Sequence, residues 1–324
     1  MARFKTADVT PCSPVPGQPG FTYNQDGHPV DRWGRYGIAN RGETKLIGRT
    51  RVTTYIGALS DTYNLHAWQQ NYLAYGLACL DGWQEPVKEA FRKLDSENDE
   101  VRREARMELE QIREWAAREV GRDDKADWGT VVHALTEVID NGHGDLLEPM
   151  KHGKLPDLYM PELAGLTENQ QAILKANADL MYKDLLEYWK LVDGFMLEAA
   201  YIEPRTVNDE LSLTGTPDRL WHAADPALMV GDLKTGSITF DVMKFSTQMA
   251  VYANSELYDL DTDMRTVVDI DRSNAYLIHL PAAKAEATLY SVDIEKGYDV
   301  CTKTIPEVKA IRRTKLTDVM RKMP

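Results

Sequence analysis

The stretch LTGTPDRLWHAADPALMVGDLKTGS, residues 213 to 237, carries Asp218, then Asp232, then Lys234. In a strand, residues two apart share a face, so Asp232 and Lys234 project together while Leu233 points to the packed side. Asp218 reads as the end of the preceding strand, where an antiparallel neighbour brings its carboxylate beside Asp232. Two converging carboxylates cannot both stay ionised cheaply unless a cation joins them. Hard oxygen ligands suit Mg²⁺ or Mn²⁺, ions that keep waters and accept phosphate oxygens. Beside such an ion, Lys234 can orient or deprotonate a water and stabilise developing charge. The competing reading is a surface salt bridge, because an Asp-x-Lys tripeptide arises often by chance and exposed pairs are worth little.

The elements that must position these groups follow from periodicity. Residues 227 to 234 form a short apolar strand, preceded by alternating β-branched and aromatic residues over 196 to 222. FDVMKFSTQMAVYANSEL reads as helix, and NAYLIHLP and ATLYSVDI as strands. Upstream, ADWGTVVHALTEVID aligns Trp128, Val131, Val132, Leu135, Val138 and Ile139 on one helical stripe. Thr167 with Gln170 resembles a capping box opening a helix that runs to about Val192. A helix over roughly 62 to 81 precedes a mixed-charge stretch, Glu85 to Glu119, read as one or two solvated helices. This order gives an α/β core behind a helical N-terminal half. The division is an extended Pro/Gly-rich arm over 1–48, a helical region over 49–126, a core over 127–295 and a basic C-terminal helix or tail over 296–324.

The chain has 324 residues and is 43% hydrophobic, enough to bury a sizeable core. Its formal net charge of −13 argues against coating nucleic acid through bulk electrostatics. A site that meets phosphate through a bound cation remains compatible with that charge. Cys12, Cys79 and Cys301 are far apart and read as free thiols in a reducing compartment. With no apolar signal core and no run approaching a membrane span, the expectation is a soluble, cytoplasmic protein.

Four motifs stand in order: His133 in GTVVHAL, Gly215 to Asp218 in GTPD, Asp232 with Lys234 in GDLKTG, and Gln248 with Tyr252 in QMAVY. The ordered set resembles the RecB-type exonuclease branch of the PD-(D/E)XK nuclease superfamily. That branch also contains CRISPR-adaptation nucleases and many phage-encoded recombination exonucleases. The lead-in RVTTYIGALSDTYNLHAWQQN looks like the N-terminal region of phage members. The resemblance covers roughly residues 49 to 295, and its specificity lies in the ordered combination.

The resemblance implies a restriction-endonuclease-like core, a mixed β-sheet flanked by helices. It implies that Asp218 and Asp232 hold one or two Mg²⁺ or Mn²⁺ ions, with the Leu233 carbonyl as a further ligand. Lys234 would be the catalytic lysine, placing a water for in-line attack on a phosphodiester. His133 matches a position that completes or supports the metal site; a half-buried histidine on the apolar stripe is its bland alternative. Glu137, one turn later, could orient it. Gln248 and Tyr252 share a helix face and can hydrogen-bond a phosphate or the lysine, with core packing the alternative for Tyr252. Glu203 is a further candidate ligand, with Glu198 and Glu210 as competitors. Relatives that hold an iron–sulfur cluster use four cysteines, and this chain has three, so no cluster is expected. The implied partners are DNA ends or single-stranded regions and a phage recombinase or single-strand annealing protein, acting in the host cytoplasm. An oligomer is compatible with this reading. The basic KTIPEVKAIRRTKLTDVMRKMP segment reads either as a grip on DNA backbone or as a solvated helix.

Overall fold

A computed structural model describes residues 13–24, 27–60, 62–156, 160–223 and 227–320. Residues 13–48, read as an extended arm, contain two small antiparallel pairs. They are β1 (Phe21–Tyr23) with β2 (Pro29–Asp31), and β3 (Gly37–Ala39) with β4 (Leu46–Gly48). Next come β5 (Thr50–Arg51) and the one-turn helix α1 (Val52–Ile56). The buried Arg49 ties this region to the body of the protein. Its guanidinium donates to the carbonyls of Ile38 and Asn208, to Asn40 Oδ1 at 2.8 Å and to Asp209 Oδ1 at 2.8 Å.

Four helices follow: α2 (Tyr63–Cys79), α3 (Gln84–Leu94), α4 (Asp99–Glu119) and α5 (Asp124–Asp140). The mixed-charge stretch is thus two helices, α3 and α4, broken at Asn98, whose side chain caps α4 by accepting from the Glu100 N–H. Close approach of α2 to α4 depends on Gly76, where a Cβ would stand 2.0 Å from the Ala116 carbonyl oxygen. After α6 (Leu147–Lys151), the long α7 (Glu168–Gly194) opens with the reciprocal Thr167–Gln170 capping box.

The second half of the chain builds one five-stranded sheet and, joined by β5, a second. Its elements are β6 (Glu198–Ile202), β7 (Thr206–Asn208), β8 (Leu213–Gly215), β9 (Arg219–His222) and β10 (Met229–Lys234), then α8 (Val242–Ala253). They are followed by β11 (Glu256–Tyr258), β12 (Arg265–Thr266), β13 (Asn274–His279) and β14 (Thr288–Asp293). The chain continues into α9 (Glu295–Asp299), α10 (Ile305–Arg312) and α11 (Leu316–Val319).

The central sheet has the order β14-β13-β10-β9-β6; β10 and β13 run parallel and the other pairs antiparallel. The second sheet, order β12-β11-β7-β8-β5, corrects the helix reading of residues 240–257: α8 ends at Ala253, and Glu256 and Leu257 belong to β11, which pairs with β12. These two strands have three and two residues, too short to show an alternation.

Alternation along β10 sends Met229 and Leu233 into a core with Val131 and Leu135 of α5 and Leu174, Leu185 and Tyr188 of α7. Val230 faces the other way, packing with Met249 and Ala250 of α8 and Ala275 and Leu277 of β13. The result is a mixed sheet between helical layers, the restriction-endonuclease-like arrangement expected. At the C-terminus, Ile305 is buried and the Lys309 ammonium lies 3.6 Å from the centroid of the Tyr55 ring. That contact packs the basic segment against α1. No helix among the described residues is long and apolar enough to cross a membrane.

Candidate active site

Asp218 immediately precedes β9 rather than closing the strand before it. Pro217 cannot donate to a ladder, and the chain turns there between β8 and β9. The convergence with Asp232 survives this correction because β9 and β10 are antiparallel, with Arg219 opposite Gly231. The Leu233 N–H donates to Asp218 Oδ2 at 2.7 Å, pinning that carboxylate to the end of β10. His133 Nδ1 stands 3.7 Å from the same oxygen. On α5, His133 and Glu137 are half-buried breaks in an otherwise buried run, which turns both toward the strand ends.

Asp232 and Lys234 do share a face: Lys234 Nζ lies 2.7 Å from Asp232 Oδ2. That contact lacks hydrogen-bond direction, so the buried Oδ2 accepts no normal hydrogen bond. Burial, and then the charge of Asp218, push the Asp232 carboxyl up to about 7 against the pull of Lys234. Burial pulls the Lys234 ammonium down, but Asp232 and Asp218 more than offset it, and the net shift is upward. The ammonium also lies 5.5 Å from the centroid of the Phe245 ring on α8.

Among the three glutamates, the structure brings Glu203 to the site. Its N–H donates to the Asp218 carbonyl at 3.0 Å, and its backbone sits in the left-handed region at φ 46°. Glu198 lies at the far end of β6 opposite His222, and Glu210 bonds the Tyr298 hydroxyl. Burial, followed by the charge of the nearby Glu203, pushes the Glu137 carboxyl up to about 7.

Gln248 and Tyr252 are one turn apart on α8, with Gln248 Nε2 donating to the Tyr252 hydroxyl at 3.4 Å. Tyr252 is buried, and it shares one cavity wall with Gly215 and Thr216. A Cβ on Gly215 would stand 2.6 Å from the Tyr252 ring, so the glycine of GTPD is there to admit this tyrosine. The two motifs are therefore one packed unit behind Asp218.

Arg219 escaped the motif reading although its signal was available. The β9 alternation places it on the core face with Trp221, where an unpaired charge cannot stand. Its Nε donates to Asp140 Oδ2 at 2.6 Å, its Nη1 to the Asp218 carbonyl at 2.7 Å and its Nη2 to Thr136 Oγ1 at 3.3 Å. Tyr188 adds a hydroxyl bond to Asp140 Oδ2 at 2.7 Å. This buried cluster fixes the Asp218 backbone to α5.

Beside the aspartate pair, reached through His133 and Glu203, which both contact Asp218, is an open cleft of about 840 Å³. Its walls include Trp68, Gln69, Glu114, Arg122, His133 and Glu203, so α2 and α4 stand across from the sheet end. Among the described residues, no three His, Cys, Asp or Glu side chains are gathered closely enough to bind a metal by themselves. A Mg²⁺-like ion here would complete its shell from carbonyl, water and phosphate oxygens, as that ion commonly does. The donor set fits it: two carboxylates, one with a buried unsatisfied oxygen, at the end of one strand pair. Cys79 is exposed on α2, and Cys301 is buried, its thiol pushed up to about 12 by burial. Cys12 lies outside the described residues.

A model of the PD-(D/E)XK nuclease superfamily matches residues 102–293, more than half of the chain. The protein belongs to that superfamily, a class of metal-dependent nucleases. No curated protein matches the chain.

Proposed function

We propose that this nuclease is a RecB-type DNA exonuclease, phage-encoded and acting in recombination or DNA processing. The observation supporting the site assignment is the Asp218–Asp232–Lys234 cluster, with the Leu233 N–H clamping Asp218 beside an unsatisfied Asp232 oxygen. Asp218 and Asp232, with the Leu233 carbonyl, would hold Mg²⁺ or Mn²⁺, and His133 and Glu203 border that position. The bound ion supplies Lewis acidity and charge neutralisation at the scissile phosphate. Lys234 orients the attacking water and carries positive charge next to the developing phosphorane. Gln248 and Tyr252 act on the same step as a hydrogen-bonded pair, with Tyr252 packed against Gly215 of the turn that carries Asp218.

Chain-end action is supported by the helical wall that α2 and α4 place across the cleft, which suits a strand entering lengthwise. Such an enzyme would hand a resected strand to a phage recombinase or single-strand annealing protein. The test compares end-labelled linear DNA with covalently closed circular DNA in Mg²⁺ or Mn²⁺. Linear DNA should be degraded from its ends and the circle left intact; nicking or linearisation of the circle would make the protein an endonuclease of the same fold.

Gln248→Ala is expected to slow cleavage with little change in melting temperature. Tyr252→Phe keeps its packing and loses the hydroxyl bond from Gln248, a net interaction of about 0.5–1.5 kcal/mol. If that loss reaches the reacting geometry through the Thr216 turn, the rate falls several-fold to about tenfold. Unchanged rates with lowered melting in both variants would assign the pair to packing alone.

A further inference from the structure

The α2 helix is exposed nearly all round; Gly76, against α4, is its buried residue. Trp68, Tyr72 and Tyr75 stand at i, i+4 and i+7, on one face of it. The rings of Trp68 and Tyr72 are 4.9 Å apart at their centroids. Trp68 is 37% exposed and Tyr75 61% exposed, so none of the helix's own packing accounts for the two rings lying open. The position of this face is specific. Trp68 lines the same cleft as His133 and Glu203.

The cations of that cleft are nearly spent. Arg122 is bound to Glu114 at 2.7 Å and to Asp123 at 2.7 Å, and Arg118 also reaches Asp123. Lys125 is the exposed ammonium at the cleft, and no carboxylate pairs with it among the described residues. A duplex gripped by its phosphates needs several free cations, and the net charge of −13 makes that demand harder to meet. Unpaired bases present a second handle, because every base has a face that stacks on an aromatic ring.

From this juxtaposition we infer that the Trp68–Tyr72–Tyr75 face of α2 is a base-stacking wall that feeds single-stranded DNA into the catalytic cleft. The inference rests on the nuclease reading of that cleft and names its substrate as an unpaired strand. Stacking supplies the hold, while phosphate contacts stay few and are concentrated at the cleft.

The test measures binding of fluorescein-labelled oligo(dT) by anisotropy, without divalent cation, across a salt series. Wild type, Trp68→Ala, Trp68→Phe and Tyr75→Ala are compared, and the same oligonucleotide is then used for cleavage with Mn²⁺. Trp68→Ala should weaken binding about 5- to 150-fold, the range for one lost base stack. Trp68→Phe should keep most of the affinity, and Tyr75→Ala should lose affinity in the same direction as Trp68→Ala. The salt slope should be unchanged in all three, since no phosphate contact is removed, and each variant should stay folded, since neither ring is buried. The inference is overturned if wild type does not bind oligo(dT), or binds blunt duplex of the same length more tightly. It is also overturned if Trp68→Ala binds as wild type does. Wild type that cleaves while Trp68→Ala binds and cleaves normally removes the stacking wall and keeps the nuclease. Wild type that never cleaves, yet depends on Trp68 for binding, keeps the wall and removes the nuclease reading.

Discussion

Lys234→Ala is expected to lower the cleavage rate by about 10²–10⁴-fold, the usual worth of a positioned proton-transfer group. That is about 2.7–5.4 kcal/mol of barrier. The variant should keep its divalent-metal affinity, because the two carboxylates remain. It should also stay folded: Asp232, already displaced upward by burial and by Asp218, can take a proton once the ammonium is gone. Asp232→Ala is expected to lose both cleavage and metal binding. Single-turnover cleavage of end-labelled DNA and calorimetric Mn²⁺ titration separate the two cases. Equal loss of metal in both variants, or near-normal cleavage by Lys234→Ala, would contradict the roles assigned to this strand end.

The largest expected effect on stability lies behind the site. Asp140→Ala leaves the Arg219 guanidinium buried beside Thr136 with its carboxylate removed, and Tyr188 loses its acceptor. Breaking one side of a buried pair costs about 3–5 kcal/mol. For a chain of this size that lowers the melting temperature by on the order of 10 °C. The double replacement of Asp140 by Leu and Arg219 by Met should recover much of the loss, since no buried charge is then unpaired. Because Arg219 also holds the Asp218 carbonyl, that double variant should fold and still cleave slowly. Denaturant unfolding of the single and double variants decides it. A cost under about 1 kcal/mol for Asp140→Ala would place the cluster among ordinary surface pairs.

Several features of this protein were open to reading along the chain because their causes are local. The apolar stripe of α5, the Thr167–Gln170 box that starts α7, and the shared face of Asp232 and Lys234 each depend on residues within one or two turns or one strand. The ordered motifs pointed to the superfamily, and the family match carries that much. Short-range rules did not extend to pairings across the chain. Whether Asp218 closes one strand or precedes the next depends on the turn at Pro217 and on the register of β9 against β10. Glu203, rather than Glu198 or Glu210, reaches the site because β6 ends beside Asp218 and turns through a left-handed residue. Arg49 binds Asp209 across 160 positions, and β11 pairs with β7, so the second sheet exists only once distant segments meet. Periodicity and capping energies act over a few residues, and they determined the elements and the residue types on each face. Which faces meet is set by burying the two apolar sides of β10 between α5, α7 and α8, a long-range packing term. That packing brought Gly215 against Tyr252, Arg219 against Asp140, and α2 across the cleft from His133 and Glu203.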